Sequence, residues 1–112
     1  MELTIDREYD YVPDWKNNKG DASPIKFKMR MLTTGERDKL MGYEFGIDGT
    51  VRLKPDRQAM FLAAVVKIEN LKVKGEAITS AREMLARPGM DLLMAEVVAD
   101  VLGQNSREDL KN

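Results

Sequence analysis

Any reaction run by this chain would have to use carboxylates, lysines or hydroxyls, because its 112 residues include neither histidine nor cysteine. The commonest general base and metal ligand is therefore missing, as are thiol nucleophiles and thiolate metal sites. Carboxylates are plentiful, but they are scattered among basic residues, and no spacing picks out a pair fit to share acid and base roles. Asp48-Gly49 has the look of a calcium-loop turn, yet the spaced carboxylates of such a loop are absent. The glycines of Gly35 to Gly46 lack the Lys-Ser/Thr ending and the strand-to-loop pattern of a phosphate loop. No nucleophile elbow occurs. These residues point away from an enzyme and imply neither cofactor nor metal.

Binding is the remaining chemistry. Trp15 sits in a polar loop with Asn17, Asn18, Gly20 and Asp21, where an indole either pins the loop onto the core or meets a ligand. Lys26, Lys28 and Arg30 alternate with Ile25, Phe27, Met29 and Met31. This basic stripe is either the solvent face of a strand or a surface for an acidic partner. Three charges without further basic neighbours make a weak field, which favours the solvent face. Met29, Met31, Met84, Met90 and Met94 fall at core-like spacings, and thioethers fill irregular gaps.

The element that must position all of this is Met90 to Leu102. At 100° per residue, Leu93, Val97, Met90, Val101, Met94, Val98 and Leu102 form one apolar arc, the stripe of a core-facing helix. Asp91 lies in its first turn, where free N–H groups welcome a carboxylate. Gly103 is expected to end it, and Glu96 and Asp100 mark its polar side. Leu92, Ala95 and Ala99 widen the apolar arc into a shoulder. That shoulder is open to a partner helix, covered by a helix at 34–43 or 56–66, or used for self-association.

The other elements follow from pattern. Residues 1–12, with Leu3, Ile5, Tyr9 and Tyr11, read as an edge strand or extended arm. The stretch 25–31 is the clearest strand. Thr33 and Glu36 form a capping box opening a helix at 34–43. Asp48-Gly49 predicts a two-residue type I′ turn between strands at 44–47 and 50–53. Helices are expected at 56–66 and 80–87, the second capped by Ser80, and a strand at 68–73. The fold class is α+β: a small single domain over 1–104, with short antiparallel strands and three to four helices, then a polar tail over 105–112.

Composition sets the outer limits. With 43% apolar and 33% charged residues and a net charge of −1, the chain describes a globular domain rather than a disordered one. Near-neutrality argues against broad binding to nucleic acid or to an anionic membrane. No signal-peptide core or membrane span occurs. The expected location is the cytoplasm.

The order of motifs resembles a known family. Tyr-Val-Pro-Asp-Trp-x-x-Asn (Tyr11 to Asn18) precedes the strand 25–31 and Leu-Thr-x-x-Glu-Arg (Leu32 to Arg37). Lys67 to Thr79, a short helix, the apolar helix and a tail with Ser106 and Lys111-Asn112 follow. This layout is similar to that of the small tail assembly chaperones of long-tailed bacteriophages and prophages. The resemblance implies a cytoplasmic helper that binds the tape-measure protein, assists recruitment of tail tube protein and leaves the finished particle. The surfaces offered for partners are Leu92, Ala95, Ala99 and Trp15, with a homo-oligomer as a further possibility. A small structural virion protein, such as a head–tail connector or tail component, is the alternative.

Overall fold

The alternation at 25–31 becomes the middle strand of a three-stranded antiparallel sheet in the computed structural model, which describes residues 1–2 and 7–111, with side chains as far as Gly103. In chain order the elements are β1 (Glu8–Tyr11), α1 (Thr34–Lys39) after β2 (Lys26–Arg30), β3 (Met41–Phe45), β4 (Val51–Pro55), α2 (Arg57–Ala64), β5 (Val65–Glu69), β6 (Leu71–Val73), β7 (Glu76–Ile78), α3 (Ala81–Leu85) and α4 (Asp91–Lys111). A short 3-10 segment, Trp15–Gly20, joins β1 to β2. The fold is α+β and forms one domain, with sheet order β1-β2-β5 and two separate hairpins, β3-β4 and β6-β7.

Apolar residues of β2 face one layer of helices. Phe27 and Met29 are fully buried, as are Met60 and Phe61 of α2, Met84 of α3, and Leu93 and Val97 of α4. The Phe27 and Phe61 rings meet edge to face, 6.1 Å apart at their centroids, a favoured aromatic geometry. The opposite face of β2 is polar, as the alternation predicts. Its charges are internally matched: Lys26 pairs with Asp10 and Glu69, and Arg30 with Glu36. Lys28 is exposed. Two of the three basic residues of the stripe are thus paired within the fold.

Several expected boundaries move. The helix expected at 34–43 stops at Lys39, because Met41, Gly42 and Tyr43 pair with Pro55, Lys54 and Leu53 instead. The helix expected at 56–66 ends at Ala64, and the β-branched Val65 begins β5. The single strand at 68–73 is split by Asn70, whose φ of 64° turns the chain between β5 and β6. The helix at 80–87 is shorter, Ala81–Leu85, although Ser80 caps it by accepting from the Glu83 N–H.

The turn at Asp48-Gly49 exists but is not type I′. That turn needs positive φ at both central residues, and here only Gly49 has it, at 83°. The Gly49 N–H donates to Gly46 O, and the Gly46 N–H to Thr50 O. This is the longer hairpin loop with one left-handed residue. Gly103 does not end α4 either: the backbone continues helically to Lys111, across the boundary expected at residue 104. A glycine inside a helix costs only about 1 kcal/mol. Leu3 and Ile5, and any capping by the Ser106 side chain, lie outside the described residues and side chains.

Candidate protein-binding surface

The residues picked from sequence separate into two places. On α4, Leu92 is 76% exposed, Ala99 is exposed and Ala95 is half-buried. The shoulder is therefore open, and neither α1 nor α2 covers it. Trp15 is half-buried against the core, with the Lys16 ammonium 4.7 Å above its ring. It pins its loop, and it also lines a groove of about 580 Å³ with Ile25, Leu71, Val73 and Met90. Lys16 and Asn17 adopt left-handed conformations to make the bend.

Asn18 holds that loop closed. Its side chain is buried, donates from Nδ2 to Pro13 O and Ile25 O, and accepts from the Ile25 N–H at 2.7 Å. Both ends of the loop are thereby tied to one amide. The polar side of α4 is also occupied. Tyr9 and Tyr11, two apart on β1, donate to Asp100 (2.9 Å) and Glu96 (2.6 Å), four apart on the helix. The Asp14 N–H donates to the same Glu96 oxygen. Burial first, and then the Glu96 carboxylate, push the Tyr11 hydroxyl well above its usual range, which keeps it a donor. Strand period 2 meets helix period 4 here, so a face that reads as solvated in sequence is a docking seam.

The β3–β4 hairpin is a third surface, and residue-by-residue chemistry does not single it out. Its register pairs Tyr43 with Leu53 and Phe45 with Val51, with Met41 opposite Pro55 at the base. Residues two apart share a face, so one face carries six apolar side chains and no charge. The other carries Glu44 opposite Arg52, and Gly42 opposite Lys54. Met41 rests on the core and Pro55 is half-buried, but the face beyond them is uncovered: Tyr43 is 68% exposed and Phe45 76%, with Val51, Leu53 and the tip residue Ile47 also exposed.

The turn that displays this face is well fixed. Asp48 Oδ1 accepts from the Thr50 N–H and hydroxyl, and the hydroxyl bond holds the Asp48 carboxyl below its usual range. A Cβ on Gly46 would lie 2.6 Å from both Asp48 Oδ1 and Thr50 Oγ1, so a side chain there would push these two groups out of place. At its other end the hairpin is steadied by α1. Thr33 and Glu36 complete the capping box, and Arg30 grips the Glu36 carboxylate with two donors, at 3.0 and 2.5 Å.

Among the described residues no group of three His, Cys, Asp or Glu side chains could hold a metal, and no helix is long and apolar enough to cross a membrane. Comparison with protein-family models, curated proteins and solved structures yields no match to this chain. What the geometry offers is contact: an uncharged hairpin face and an open helix shoulder.

Proposed function

We propose that this is a non-catalytic cytoplasmic assembly protein that works as a tail assembly chaperone, binding the tape-measure protein and helping tail tube subunits to gather on it. The observation that supports an assembly role is the uncovered apolar face of the β3–β4 hairpin. Contiguous apolar surface on that scale marks sites where proteins meet. The chaperone identity itself comes from the layout resemblance. In this reading a tape-measure helix lies along the α4 shoulder, where Ala95 and Ala99 permit close approach and Leu92 supplies the anchor.

Co-expression with a tape-measure protein tests it. The expected result is co-purification, lost in Leu92→Glu and Ala99→Glu variants that keep the wild-type circular dichroism. Failure of the wild-type chain to capture the tape-measure protein overturns the chaperone reading, as does its presence as a stoichiometric component of purified virions.

A further inference from the structure

We propose that the apolar face of the β3–β4 hairpin is the interface of a homodimer, two copies packing hairpin on hairpin into a four-stranded sandwich. The inference stands on the hairpin alone and goes beyond the binding of a tape-measure helix at α4.

A two-stranded hairpin is marginally stable in water unless its apolar face is packed. In this chain β3–β4 forms a sheet of its own, and the face above Met41 is left uncovered. The partner always present at equal concentration is a second copy. The face suits one. It carries no charge, so closing it buries no unpaired ion. The chain's net charge of −1 offers little repulsion between copies.

The area is also sufficient. Tyr43, Phe45, Ile47, Val51 and Leu53 are each more than half exposed, and together offer on the order of 600 Å² per copy. Two copies then bury about 1,200 Å², the lower bound for a specific, stable interface. A two-fold axis across the strands sets the hairpins antiparallel, so the two bodies lie at opposite ends. The Phe45–Val51 pair lies at the middle of the uncovered part of the face, between the Tyr43–Leu53 pair and the tip residue Ile47. On that axis Phe45 meets Phe45 of the other copy and Val51 meets Val51, because an isologous contact is self-complementary. Glu44, Arg52 and Lys54 stay on the outer, solvated side.

The test is the mass of the full chain by sedimentation velocity over about 1–200 μM, a range that captures micromolar association. The wild type is expected at twice its 12.7 kDa chain mass at the upper end. Phe45→Glu and Leu53→Glu are expected to be monomeric throughout, with unchanged circular dichroism, while Glu44→Lys and Leu92→Glu remain dimeric. Because the chain has no cysteine, Val51→Cys adds a single thiol, and a short bis-maleimide should join two copies through it. A wild-type monomer at every concentration overturns the proposal, and so do dimers that survive both glutamate variants or a Val51→Cys protein that does not cross-link. None of these outcomes touches the α4 shoulder, so tape-measure capture is judged separately.

Discussion

Strands β2 and β3 have the same length and the same alternation, and opposite fates. In Lys-Phe-Lys-Met-Arg the apolar residues Phe27 and Met29 are fully buried; in Met-Gly-Tyr-Glu-Phe, Tyr43 and Phe45 are 68% and 76% exposed. The difference lies in neighbours. β2 is flanked by β1 and β5 and roofed by helices, whereas among the described residues β3 has only β4 beside it. Alternation decides that a strand has two faces. It does not decide what covers the apolar one. A second core-like face with no cover among the described residues is therefore the feature that asks for another molecule.

The largest test of this contrast substitutes equivalent residues in the two strands. Phe27→Ala should cost about 3–5 kcal/mol through the cavity it opens. Val97→Asp, which places a charge at the buried centre of α4, should unfold a domain whose total stability is roughly 5–15 kcal/mol. Phe45→Glu should stay within about 1 kcal/mol of wild type when monomers are compared, because Phe45 is 76% exposed among the described residues. Urea unfolding at low protein concentration measures all three. Equal losses for Phe27→Ala and Phe45→Glu would mean that the hairpin face is covered within the chain.

Next in size is the loop that delivers β2 into the core. Asn18→Ala removes one buried amide and strands two carbonyls and an N–H at Pro13 and Ile25. A cost of about 1–3 kcal/mol is expected. Amide exchange should quicken around Ile25 and the Trp15 loop and stay unchanged in β3–β4. Faster exchange in the hairpin would show that the two regions fold as one unit.

The sequence made much of this readable, and the unread parts have physical causes. The capping box at Thr33 and Glu36, the alternation of β2 and the apolar arc of α4 are local signals, and each marks a real element. Local signals fail where a partner strand outcompetes them. Leu40 to Tyr43 continue a helical pattern, yet pairing of Met41 and Gly42 with Pro55 and Lys54 claims them for β3. Glu96 and Asp100 look solvated because their partners, Tyr9 and Tyr11, lie more than eighty residues away. Leu92 and Ala99 were legible as a shoulder from helical angle alone, and they are open. The hairpin face was hidden because a short alternating run reads the same whether it is roofed or bare. Asn18 gave no signal beyond being one of several polar loop residues.

The smallest expected effect lies at the joint between the two regions. Arg30 on β2 holds Glu36 on α1, and α1 leads directly into β3. The Arg30 hydrogen bonds first, and then the Thr33 backbone N–H, lower the Glu36 carboxyl from its ordinary 4.5 to about 2. A carboxyl depressed in the folded state stabilises the protein above its unfolded value, and that contribution disappears as pH falls toward the folded value. Glu36→Gln should therefore melt below wild type at pH 7. The gap between them should begin to narrow near pH 4.5 and close near pH 2, where the wild-type group is itself becoming neutral. Asp48 and Glu69 are depressed as well, but both proteins keep them, so they cancel in the difference. Melting temperatures of the pair across pH 2–7 check the window, and amide exchange of Met41 to Phe45 in the variant checks the coupling. A gap that does not change with pH would show that the Arg30–Glu36 pair is not formed in solution. The hairpin would then be joined to the sheet by Met41 and the backbone alone.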